Sequence, residues 1–177
     1  MLLSKIIKIF DDWCPPSDAE EFDNVGLLVG ELKSEITKAV ITLDISDDVI
    51  DECISNGANL IISFHPLFIT DPKTNETDER INKYIIRCLK NNINVYCIHT
   101  NLDNNPFGTS YQLGKILSLK NQEILVNNEN NNLKGMGSIG SMSHSINDYN
   151  FLEFLKDKLN LKYLRHSKLL DKKIKKV

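Results

Sequence analysis

The feature that most constrains this chain is a double alternation between residues 39 and 98. Short, nearly unbroken apolar runs, AVITLD (39–44), NLIISF (59–64) and NINVYCI (92–98), are separated by longer segments with apolar residues at every third or fourth position. In the first such segment Val49, Ile50, Cys53 and Ile54 share a helical face that Gly57 ends. In the second, Ile81, Tyr84, Ile85, Cys88 and Leu89 do the same after a polar DPKTNET loop. Strands that are apolar throughout, joined by amphipathic helices, predict a parallel sheet covered on both faces, with right-handed crossovers. The fold class is therefore α/β: a mostly parallel sheet with helices on both faces, plus a smaller C-terminal α/β portion.

Around this centre the pattern is looser. Leu3, Ile6, Ile7 and Phe10 form one face of an N-terminal helix that must end before Pro15 and Pro16. GLLVG (26–30) reads as a short strand, and residues 110–117 as a helix. The asparagine-rich VNNENNNL (126–133) reads as a solvated loop and a boundary. This gives an α/β domain over 1–126 and a partial second subdomain over 133–177. In the latter, strands are expected near 137–142 and 162–165, a helix over about 148–159, and a further strand at the closing KKIKKV.

Bulk properties exclude several function classes. With 177 residues, a net charge of −3 and four scattered cysteines, the chain has no general pull toward nucleic acid or anionic membrane. It also lacks a C-x-x-C metal or redox pair. Cys14, Cys53, Cys88 and Cys97 read as small buried thiols. No apolar run is long enough to span a bilayer, and MLLSKIIKIFDDW lacks the apolar core of a signal peptide, so a soluble, cytoplasmic protein is expected.

Chemistry is expected where strands end. Ligands of open parallel sheets bind beyond the carboxyl ends of the strands. Asp44, His65 and His99 emerge there, with Asp103 four residues past His99. Imidazole nitrogen with carboxylate oxygen suits Zn, Mn, Fe or Co. A single histidine in such a place more often caps a strand end through backbone hydrogen bonds. Two at adjacent ends, followed by an aspartate, favour a metal-ion site.

The stretches AEEFDNVGLLVG (19–30), AVITLD (39–44), GANLIISFHPLF (57–68), VYCIHTNLD (95–103) and KGMGSIGSM (134–142) together resemble the GTP cyclohydrolase I type 2 homologues, also called the NGG-interacting-factor-like family. The resemblance implies an α/β fold, a toroidal homohexamer and a two-metal site. Its ligands would come from a His-His-Pro motif, the aspartate of HTNLD and a C-terminal His-x-x-x-Glu. By position His65 and Asp103 match metal ligands, and His99 matches a site histidine that is not itself a usual ligand; in a hydrolase it would shuttle the proton of a metal-bound water. Two departures stand out. Phe64 occupies the place of the first histidine, and the chain ends before a His-x-x-x-Glu, which reads as a C-terminal truncation.

Other motifs carry less. Gly135-Met136-Gly137-Ser138-Ile139-Gly140 satisfies G-x-G-x-x-G, but neither the preceding strand nor the following helix of a dinucleotide site is expected, so a turn with close backbone approach is the better reading. The resembling family commonly has arginine where Ser138 stands. LGKILS (113–118) lacks the upstream glycine of a phosphate loop. Glu20, Glu21 and Asp23 read as a solvated acidic loop, although Asp23 and Asn24 fall in the DNVG motif. His144, His166 and the closing lysines read as surface groups.

Two functions follow. One is a metal-dependent hydrolase of the GTP cyclohydrolase kind, using a divalent ion and acting on a nucleotide or other small molecule. The other is a non-catalytic remnant that serves assembly or interaction.

Overall fold

The computed structural model describes residues 1–69, 79–128 and 131–177, with side chains at 131 and 132 left aside; the expected DPKTNET loop lies outside the described residues. The chain forms two compact units, Met1–Leu102 and Asp103–Val177.

The first unit holds α1 (Leu3–Trp13), β1 (Gly26–Val29), β2 (Ala39–Thr42), α2 (Asp47–Asn56), β3 (Leu60–Ser63), α3 (Glu79–Lys90) and β4 (Asn94–Cys97). The sheet order is β1-β4-β3-β2. Strands β2, β3 and β4 are parallel in unbroken register, while β1 runs antiparallel on the β4 edge. Period-two alternation divides the apolar side chains between two cores. Ile61 and Val95 pack with Ile50, Cys53 and Cys88 of α2 and α3, whereas Leu60 and Tyr96 pack with Leu3 and, in part, Ile6 and Phe10 of α1. Helices thus cover both faces, as expected. Both crossover helices lie on one face, as two successive crossovers of the same hand require.

Local chemistry sets the helix ends. The Ser46 hydroxyl accepts from the Val49 amide and Asp47 and Asp48 occupy the first turn of α2, which satisfies free amides and the positive end of the dipole. Gly57 closes it in the left-handed region (φ 67°). Arg87 of α3 reaches both Asp47 and Asp51 of α2, and Lys83 pairs with Asp47 at 2.9 Å.

In the second unit α5 (Thr109–Ile116) precedes β5 (Lys120–Asn128) and β6 (Asn131–Asn147); α6 (Asp148–Lys158) and β7 (Lys173–Lys176) follow. One helical turn, α4 (Thr100–Asp103), spans the junction of the units. The sheet order is β5-β6-β7, antiparallel throughout. Leu117, Leu119 and Met142 form its core, with Phe151, Phe154 and Leu155 of α6 packed on it.

Two expectations change here. The described residues of the asparagine-rich stretch, 126–128 and 131–133, lie in strands β5 and β6 instead of a loop. Backbone ladder bonds form regardless of side chain, so polar residues on a solvated hairpin do not prevent pairing. Residues 162–165 form no strand. Tyr163 is 80% exposed there and Leu164 only partly buried, so the segment has no apolar face to press on a sheet. The closing strand does form, as β7. No helix among the described residues is long and apolar enough to cross a membrane.

Candidate functional site

Because β4, β3 and β2 are parallel neighbours, their carboxyl ends open at one edge. The chain leaving them carries His99, His65 and Asp44 in that order across the sheet. The His65 and His99 rings stand edge to face with centroids 5.4 Å apart.

Each imidazole is held by a carboxylate. His65 Nδ1 donates to Asp44 Oδ1 at 2.7 Å, with the His65 side chain 44% exposed. His99 Nδ1 lies 3.0 Å from both oxygens of Asp23, whose side chain is 1% exposed. A carboxylate accepts only, so Nδ1 carries a proton in both rings, and in the neutral form of each ring Nε2 keeps the lone pair.

Asp23 is therefore no member of a solvated loop. Besides His99 it accepts from the Thr100 amide at 3.1 Å, from the Thr100 hydroxyl and from the Asn24 amide at 2.8 Å. Burial alone would raise this carboxyl. The hydrogen bonds from His99, Thr100 and Asn24 outweigh it and hold the pKa below the usual carboxylate value. Neighbouring residues lock the same corner. Asn24 Nδ2 donates to the Phe68 carbonyl at 3.1 Å, and fully buried Asn101 donates to the Cys14 carbonyl at 2.6 Å while accepting from the His99 amide at 2.9 Å. The DNVG, FHP and HTNLD motifs are thus parts of one interlocked structure. The Glu20 backbone amide reaches the same corner, donating to the Thr100 hydroxyl at 3.0 Å.

Phe64 packs against both imidazoles, 5.2 Å from His65 and 5.1 Å from His99 by ring centroids. A hydrocarbon ring thus stands where the resemblance implied a ligand. Asp103, the other expected ligand, ends α4 and begins the second unit, where its Oδ1 accepts from the Thr109 hydroxyl. The cysteines supply no further donor. All four are buried and unpaired, and burial pushes Cys97 up to about 12 and Cys88 up to about 11, far from the thiolate a metal needs.

Among the described residues no three His, Cys, Asp or Glu side chains converge as a metal would require. The donors among the described residues do not fit a two-metal centre. The carboxylate-held imidazole of His65 does fit one ion, because a ligating histidine has its second nitrogen held in this way. Beside it opens a cavity of about 340 Å³, lined by Asp44, Ser46, His65, Arg80 and Tyr84 among others. His144 and His166 are exposed and take no part.

A family profile described as Duf34/NIF3 (NGG1p interacting factor 3) matches residues 1–177. Proteins named GTP cyclohydrolase 1 type 2 homolog from Clostridium perfringens and Clostridium acetobutylicum are 35% and 34% identical, over 100% and 96% of this chain. The chain spans 68% and 63% of their lengths. The crystal structure of a Staphylococcus aureus hypothetical protein superposes with a TM-score of 0.88 at 27% identity, covering 99% of this chain and 70% of that one. Reduced HcgD from Methanocaldococcus jannaschii gives 0.74 at 34% identity, covering 89% and 60% respectively.

Proposed function

The chain belongs to the Duf34/NIF3 family, and from that premise we propose that it is a metal-binding protein whose strand-end site takes a single divalent ion and supports hydrolysis of a small molecule. The observation that carries this reading is the pair of carboxylate-held imidazoles, His65 on Asp44 and His99 on Asp23. His65 Nε2 would hold the ion, and Asp103 is the second candidate ligand by its position in the family motif, with Zn, Mn, Fe and Co as the candidate metals. When bound, such an ion lowers the pKa of a coordinated water toward neutrality.

The chain's own residues supply the rest. His99 Nε2 accepts a proton from water or substrate, and Asp23 stabilises the imidazolium that forms and keeps the ring in the productive tautomer. Thr100 and Asn24 hold Asp23 in turn. The cavity beside His65 offers room for a small substrate. A nucleotide is the reading suggested by the relatives' name, GTP cyclohydrolase 1 type 2 homolog.

His65→Ala is expected to abolish Zn²⁺ or Mn²⁺ binding in a calorimetric titration, and Asp103→Ala to weaken it about tenfold or more. Undiminished binding in His65→Ala would assign the ion to other residues.

The second reading is an assembly protein without catalysis, which Phe64 favours. Self-association, as in the homohexamer implied by the resemblance, is supported by β2, which has no partner strand on its outer edge among the described residues, and where Ile41 is 80% and Leu43, just past the strand, 58% exposed. Apolar side chains on an unpaired edge strand invite another chain. Ile41→Glu is expected to shift the mass measured by light scattering toward the monomer. A wild-type protein that is monomeric and soluble at high concentration would remove this support. A cytoplasmic setting belongs to the same proposal.

A further inference from the structure

The second unit contains a cavity of about 440 Å³ that the metal reading leaves unused. Its volume falls within the range of about 300–1,000 Å³ usual for small-molecule sites. One wall is α5 with the turn before it, and the floor is the β5-β6 hairpin. Gly135 and Gly137 of the G-x-G-x-x-G stretch line that floor from inside a strand, so the stretch is no dinucleotide turn. A Cβ on Gly135 (φ 154°) would lie 2.1 Å from the Val126 carbonyl oxygen, so only glycine lets β6 approach β5 this closely. The Gly135 amide donates to the Asn104 carbonyl at 3.1 Å, which fastens the floor to the wall.

The lining has a distinct chemistry. Phe107 and Tyr111 form an edge-to-face pair with centroids 5.4 Å apart, and Phe107 is 61% exposed. Gln122 and Ser138 meet at 3.0 Å, the Ser138 hydroxyl donating to Gln122 Oε1. Gln122 and Asn127 thus bring two carboxamides to the lining. Among the described residues, no lysine, arginine or histidine lines the cavity, and Glu123 is the one charged side chain there. Phosphate would meet a carboxylate with no compensating cation, so an anionic ligand is disfavoured.

The geometry points to a binding site for an uncharged planar nitrogen heterocycle of nucleobase kind, free of phosphate, held between the Phe107–Tyr111 pair and the carboxamides of Gln122 and Asn127. Aromatic rings stack on such a ligand whatever its identity. Carboxamides match the alternating donors and acceptors along its edge. The site stands independently of the metal proposal, because no residue is shared between them.

The test is amide NMR on the full chain, titrated with adenosine, guanosine and cytidine to about 5 mM and, in parallel, with their 5′-monophosphates. At least one nucleoside is expected to give saturable shifts concentrated in α5, β5 and residues 135–138. Its monophosphate should bind several-fold more weakly. Phe107→Ala and Tyr111→Ala should each weaken binding roughly tenfold or more, and Phe107→Ala, being at an exposed position, should leave the remaining spectrum intact. Gln122→Leu should weaken binding while keeping the aromatic pair. No saturable shift for any nucleoside, equal or tighter binding of the monophosphates, or binding indifferent to both aromatic substitutions would each overturn the assignment.

Discussion

Replacing Phe64 with histidine is expected to raise the affinity for Zn²⁺ or Co²⁺ by at least about tenfold, or about 1.4 kcal/mol. The Phe64 ring already lies 5.2 Å from His65 and 5.1 Å from His99. A histidine there would add a third imidazole beside two whose orientation is set by Asp44 and Asp23. Zinc binds strongly only when three or four protein donors converge, and the described residues offer no such group as they stand. Phenylalanine also makes the site less polar and offers no lone pair to an ion. The substitution therefore exchanges a group that blocks coordination for one that completes it. Co²⁺ titration followed by visible absorption reads both affinity and coordination number. An unchanged affinity, or a spectrum showing no added nitrogen donor, would mean that Phe64 does not face the ion.

Asp23→Ala should cost about 2–3 kcal/mol of folding stability at neutral pH, measured by urea denaturation. Its carboxylate serves the His99 ring, the Thr100 amide and hydroxyl and the Asn24 amide from a position 1% exposed. Removing it leaves several donors without an acceptor. The pH dependence has a definite sign. The folded-state pKa of Asp23 is lowered, because the hydrogen bonds outweigh the burial that would raise it. Its contribution is therefore fully present above the unfolded value of 3.8, and is lost as pH falls below 3.8 through the lower folded-state value. The wild type should lose stability over that interval more steeply than Asp23→Ala. Parallel acid limbs for the two proteins would show that Asp23 is not the buried anion described here.

The alternation of periods made the first unit legible. β2, α2, β3, α3 and β4 occur where 39–98 places them, because strands buried on both faces and helices buried on one leave different spacings. That order in turn brought His65 and His99 to one edge. The partners of those histidines were less visible. Asp23 lies 76 residues from His99, and in sequence it looks like any aspartate beside Glu20 and Glu21. Only its place in the DNVG motif set it apart. Asn101 gave no signal beyond the HTNLD motif, since an asparagine that ties two backbone segments has no period. The hairpin β5-β6 was hidden because its strands expose polar side chains to solvent, and only backbone pairing defines them. The cavity above it was hidden for the same reason.

The central claim is one ion per chain at the His65 edge, and the stoichiometry of metal bound at equilibrium measures it most directly. Protein purified without chelator and dialysed to equilibrium against a series of Zn²⁺ or Mn²⁺ concentrations should saturate at about one equivalent per chain by elemental analysis, with binding lost in His65→Ala. Saturation at two equivalents per chain, or no saturable binding in the wild type, would contradict it.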